Sequence, residues 1–233
     1  MLYAASARRR SVCRGFVLNL LALSACAYTA TAPRPVRAPV APDSVDGWAV
    51  TPKRSTWQGR ELMCLVVSDD PSVDNLHSVA HPDHPRYRAF EELEDPHGAL
   101  GVWPSAYAAC AALERIASER KRPPTVLELG CGAGLPSLYA SIVLESPRVV
   151  ATDVEAVPLA FLKAARSAHA PVDPGAFATA TLDVTYASVD DIRGFDVVVC
   201  ADMLYDTGVA TALGALLGAA ACGRGAPEFV VCD

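Results

Sequence analysis

Val126-Leu127-Glu128-Leu129-Gly130-Cys131-Gly132-Ala133-Gly134 is the stretch on which the rest of the chain turns. Its apolar first half is a short buried strand ending at Leu129, and a helix begins again near Leu135. Between them, Gly130, Gly132 and Gly134 let the backbone approach a ligand and take conformations that a Cβ forbids. The helix start that follows offers free N–H groups that favour a carboxylate or phosphate. The spacing is not the dinucleotide fingerprint, whose third glycine would fall at Leu135. Nor does that fingerprint call for an acid where Glu128 stands.

On either side the apolar pattern alternates between two periods. Helices are expected over Ser105–Arg122 (stopped by Pro123-Pro124), Leu135–Leu144, Val157–Ala168 and Thr207–Ala221. Strands are expected over Thr125–Leu129, Arg148–Asp153, Ala176–Asp183, Phe195–Ala201 and Glu228–Cys232. Unbroken runs such as Val197-Val198-Val199-Cys200 belong to strands covered on both faces. The fold class is therefore α/β, a doubly wound, mostly parallel sheet. Right-handed crossovers then place all the strand carboxyl ends on one edge.

Two acids are expected on that edge. Asp153 ends the second strand, where a carboxylate can take both ribose hydroxyls. Asp183 is placed at the end of the third, where it can meet an adenine edge. Either one alone reads as a helix cap or a solvated loop residue. With the glycine turn they fit an adenosine-bearing ligand with an amino-acid end, S-adenosylmethionine rather than NAD.

The remaining sequence narrows the classes. At 233 residues and 52% hydrophobic, the chain is long enough for one domain with a real core plus a tail. All six basic residues of positions 1–40 are arginines, and no acid occurs there. The remainder carries 14 basic and 26 acidic residues, a net charge of −12 that repels phosphate backbones and argues against a nucleic-acid partner. No apolar run reaches the ~18 residues of a membrane-spanning helix, so no stable membrane insertion is expected. Eight scattered cysteines without a C-x-x-C pair are expected to be reduced thiols, and no metal site is expected. His77, His81 and His84 share helical spacing, but Pro82 and Pro85 interrupt any such helix.

Arg8–Arg10 and Arg14 precede the apolar stretch Phe16–Ala27, which closes on Ala25-Cys26-Ala27, the order of a secretory-type signal. The acid-free Ala/Thr/Pro/Arg stretch after it resembles the second half of the two-part plastid leaders of algae with complex plastids. Plastid or secretory entry is the expectation, with a disordered start or a misassigned start codon as alternatives. The expected organisation is a leader over 1–45, a hairpin and connecting segment over 46–100, and a cofactor domain over 101–233. Trp57-Gln58 and Glu61–Val67, around Gly59, are the expected hairpin.

Three stretches resemble the seven-β-strand class I methyltransferases, and within them the family-16 lysine methyltransferases that include calmodulin-lysine methyltransferase. They are Gly101-Val102-Trp103-Pro104-Ser105-Ala106, the run from Val126 to Leu138, and Asp196–Asp206 with its D-x-x-Y at Asp202 and Tyr205. The resemblance implies S-adenosylmethionine as cofactor, with Trp103, Glu128, Gly130, Cys131, Gly132, Gly134, Asp153, Asp183 and Ala201 at its site. It implies Asp202 and Tyr205 as catalytic residues facing a lysine of a protein substrate, in a monomer. Trp103 reads equally well as a core aromatic, and Tyr205 as packing at a strand end. An Asn/Asp-Pro-Pro run, expected of a DNA or glutamine methyltransferase, is replaced by Ala201-Asp202-Met203-Leu204. The paired glutamates of an arginine methyltransferase are missing, since no Glu occurs between Glu155 and Glu228. A small-molecule N-methyltransferase and a non-catalytic binding module remain as alternatives. The resemblance also implies further strands after Cys232, so a truncated chain with Glu228–Cys232 as an exposed apolar edge is expected.

Overall fold

Two short Xaa-Gly pairs organise the first part of the chain. Asp46-Gly47 (φ 48° and 79°) and Gln58-Gly59 (φ 48° and 74°) hold both members in the left-handed region, the two-residue turn whose twist suits antiparallel strands. They join β1 (Ser44–Val45), β2 (Trp48–Trp57) and β3 (Arg60–Val67) into an antiparallel sheet. The hairpin is longer than expected at its first strand, because Trp48 and Val50 bury their side chains although Pro52-Lys53-Arg54 break the alternation. The structure is a computed structural model that describes residues 38–68, 101–169, 176–222 and 225–233. Residues 1–37 of the expected leader and the segment with His77, His81 and His84 lie outside the described residues.

The chain then alternates. It runs through α1 (Pro104–Ser118), β4 (Val126–Leu129), α2 (Leu135–Leu138), a π-turn at Tyr139–Val143, β5 (Val149–Asp153) and α3 (Ala156–Ala168). It continues through β6 (Phe177–Thr181), α4 (Val189–Ile192), β7 (Val197–Ala201), α5 (Thr207–Ala221) and β8 (Glu228–Cys232). Among the described residues the main sheet has the order β6-β5-β4-β7-β8, and every neighbouring pair is parallel. The order reverses direction between β4 and β7, the switch point at which ligands bind in open α/β sheets. Val126–Leu129 and Val197–Cys200 are buried along their whole length, as runs covered on both faces must be.

Several boundaries move for local reasons. Helix α1 ends at Ser118 rather than Arg122, and Arg120 and Arg122 reach across to Glu228 and Asp196 instead. The expected third strand stops at Thr181, not Asp183. The Asp183 carboxylate accepts from Thr185 N (2.8 Å) and Thr185 Oγ1 (2.6 Å), which folds the chain into a turn. Helix α4 was not expected. Its signal is a capping box between Ser188 and Asp191.

One face of the main sheet packs on α1, α2 and α3, with the β2–β3 hairpin lying against α2 and α3, and the other packs on α4 and α5. Among the described residues Cys64, Cys110, Cys131 and Cys200 are buried free thiols, and no group of ligands could hold a metal ion. No described helix is long and apolar enough to cross a membrane.

Candidate functional site

The turn after β4 favours glycine at three positions. Gly130, Gly132 and Gly134 have φ of 60°, 48° and 70°. A Cβ on Gly130 would lie 2.7 Å from Met203 Sδ, and one on Gly134 would lie 2.5 Å from both Leu162 methyls. The turn is pinned from below: Cys131 N donates to Thr152 O (2.8 Å), Gly132 N to Asp153 Oδ2 (2.9 Å) and Gly134 N to Cys131 O (2.7 Å).

Glu128 is buried beneath the turn and accepts from Ser137 N (3.0 Å) and from the Ser137 hydroxyl. Burial pushes its carboxyl up to about 8, against the pull of the two Ser137 hydrogen bonds. Cys131 is buried, and burial drives its thiol well above the ordinary range, so it is a packing residue and not a nucleophile. Asp153 is buried as well, its second oxygen accepting from Glu155 N at 3.0 Å.

At the tip of β7 the backbone is strained. Asp202 adopts φ 59°, rare for a residue with a side chain, and its N–H donates to Cys232 O at 2.8 Å. The loop that follows is held by Asp233, which accepts from Leu204 N (3.2 Å), and by Asp206, which caps α5 through Val209 N (2.8 Å). Met203 turns inward under Gly130, while Tyr205 is 65% exposed, so it is not strand-end packing. Trp103, at the start of α1, is 42% exposed and is not a core aromatic.

All eleven residues singled out from the sequence line one cavity of about 940 Å³ along the strand carboxyl ends, within the range typical of ligand pockets. Sequence reasoning missed Ser105, Tyr186, Met203 and Asp206, which line it too. Asp206 had a legible signal as the cap before α5, whereas nothing in the sequence marks the other three as cavity wall. The polar lining suits an adenosyl amino acid: carboxylates stand at the tip of β5 and beyond β6, and among the described residues no basic side chain lies in the wall. One wall atom is an orphan, since the buried Oγ of Ser105 has no hydrogen-bond partner. Gly130, Gly132, Asp153, Asp183 and Ala201 would hold the cofactor, with Trp103 at its rim.

A sequence profile described as lysine methyltransferase matches residues 82–232. No curated protein sequence matches the chain. Among solved structures, the chain is similar to a TehB-like SAM-dependent methyltransferase from Corynebacterium glutamicum. That likeness has 16% identity and TM-score 0.39, covering 63% of this chain and 67% of that one. A glycopeptide N-methyltransferase, MtfA, complexed with S-adenosyl-L-homocysteine is similar at 21% identity and TM-score 0.39, covering 53% and 51%. Coclaurine N-methyltransferase is similar at 18% identity and TM-score 0.31, covering 40% and 27%. The profile spans well over half of the chain and takes in the glycine turn, the acids and the β7 tip. The chain belongs to the lysine methyltransferase family and is an S-adenosylmethionine-dependent methyltransferase.

Proposed function

We propose that the chain methylates the side-chain amine of a lysine in a protein. The observation that carries this reading is Asp202, a carboxylate held in a left-handed backbone conformation in the cavity wall, with Tyr205 three residues on. Strain of that kind persists where the surroundings impose it and concentrates at functional sites. Among the described residues no Lys, Arg or His lines the wall, which also favours a cationic acceptor.

S-adenosylmethionine, when bound, supplies a methyl group on a sulfonium, which an amine can displace only through a free lone pair. A free lysine, of pKa ~10.4, is mostly protonated at neutral pH. Asp202 binds and aims the ammonium, Tyr205 walls the site with its ring face, and the proton passes to water before attack. Positioning thus supplies most of the acceleration, with no general base required.

Asp202→Ala should abolish methyl transfer while leaving S-adenosylhomocysteine affinity by calorimetry within about twofold. Asp202→Asn, which tolerates the left-handed backbone, separates charge from shape and should also lose most of the turnover. Full turnover in both variants sinks the assignment. Radiolabelled methyl transfer into a cell extract tests the acceptor class, because label should enter protein and not small molecules.

A further inference from the structure

The geometry points to Asp233 as a positioning residue, which holds the acceptor-facing segment Asp202–Tyr205 in place from the neighbouring strand. The inference rests on the reading of Asp202 as the group that meets the acceptor amine, and it adds what keeps that group there. Asp202 stands at φ 59°, and a residue with a side chain stays in that region only where its surroundings impose it. Two adjacent residues at the tip of β8 supply the restraint. β8 runs parallel to β7 with Cys232 opposite Ala201, and the Cys232 carbonyl accepts from Asp202 N at 2.8 Å. One residue further on, the Asp233 carboxylate accepts from Leu204 N at 3.2 Å.

The second bond matters because of where Leu204 lies. Before it, Met203 is buried with its side chain under Gly130. After it, Asp206 is tied to the start of α5 through Val209 N at 2.8 Å. Leu204 and Tyr205, between those two anchors, are exposed, so burial of their side chains does not fix the backbone there. The bond from Leu204 N to Asp233 closes this stretch onto β8. Without it, Asp202 can relax toward an ordinary backbone conformation, and its carboxylate turns away from the amine while the glycine turn is untouched. Asp233 does not line the cavity, so it acts through Leu204 and not on the acceptor.

The test compares the full chain with Asp233→Ala and Asp233→Asn. Radiolabelled methyl transfer into a cell extract at saturating S-adenosylmethionine should run about fivefold slower with Asp233→Ala, the effect of one lost hydrogen bond. Asp233→Asn keeps an acceptor oxygen for Leu204 N–H and should stay within about twofold of the wild type. Hydrogen exchange at the Leu204 amide should accelerate by about fivefold in the Ala variant and hold in the Asn variant. The affinity for S-adenosylhomocysteine by calorimetry should be equal in all three proteins. Wild-type transfer and exchange in Asp233→Ala would overturn the inference. So would an equal loss in Asp233→Asn, which would make the charge and not the hydrogen bond the active feature. A matching fall in S-adenosylhomocysteine affinity would overturn it too, as general damage to the sheet edge. Label entering small molecules instead of protein would remove the lysine reading, and the gap between the two variants would still decide this inference. With no transfer at all, the Leu204 exchange rates decide it.

Discussion

A single methyl group is enough to distinguish the residues of this site from their neighbours. Gly134 combines φ 70° with two Leu162 methyls 2.5 Å from where its Cβ would lie. Gly134→Ala should therefore destabilise the fold by about 2 kcal/mol, from the left-handed backbone and the overpacking together. Urea denaturation checks this, and the double variant with Leu162→Ala separates the two causes. The pair should lose less than the sum of the single losses, because only the contact with Leu162 is relieved. Gly214 and Gly218, inside α5, have nothing within 4 Å of a Cβ and offer no such conflict. Asp202 is the opposite case, a residue with a side chain in a backbone conformation that glycine would take more easily.

At the scale of elements, the N-terminal hairpin is locked to α3 by one histidine. The Nε2 of His169 accepts from Met63 N at 3.2 Å, and its Nδ1 meets Ala165 O at 2.7 Å. The first of these bonds requires an unprotonated Nε2, so the ring is neutral with its proton on Nδ1. Burial is the main cause that holds the pKa of His169 below 6.5, with Arg166 adding to it. The unfolded chain binds the proton more readily, so this contribution is complete above about pH 6.5 and fades as pH falls below it. His169→Gln should lower the thermal midpoint at pH 8, and the gap to the wild type should narrow between about pH 7 and 5. A gap that is constant across that range would assign His169 to packing alone. The segment 46–67 thus shares a core with the cofactor domain through Leu62, Leu65 and Val67 rather than standing beside it.

For the whole molecule, the junction that matters is the one between β4 and β7, the switch point of the sheet. Asp196 staples its lower end. Its carboxylate takes Arg122 in a two-pronged bridge (2.9 and 3.0 Å) and accepts from Thr125 N (2.8 Å) and Thr125 Oγ1 (2.9 Å). Burial alone would raise its pKa, but the Thr125 and Arg122 bonds prevail and hold it at about 2. A carboxylate depressed in this way adds stability that is complete above its unfolded value of 3.8 and is lost as pH falls toward 2. Asp196→Asn should therefore lower the urea midpoint at pH 7 and flatten its decline between about pH 4 and 2. An acid limb unchanged by the substitution would place the titrating group elsewhere.

What the sequence determined by itself was the order of elements and the chemistry at the strand tips. Period and turn composition are local properties, which is why the bounds of α5 and β8 are as expected, and why Gly130–Gly134 and Asp153 could be named from the pattern, whereas Asp202 and Tyr205 came from the family resemblance. Asp46-Gly47 is equally legible as a hairpin turn, at the point where the expected leader gives way to the domain. Only the tertiary structure decided how the partners were shared out. It turned Asp153 and Glu128 toward the turn they support, drew Asp183 into a turn with Thr185, and left the Ser105 hydroxyl buried and unmatched. Hydrogen-bond satisfaction depends on which donors and acceptors meet across elements far apart in sequence, and no local pattern encodes that meeting.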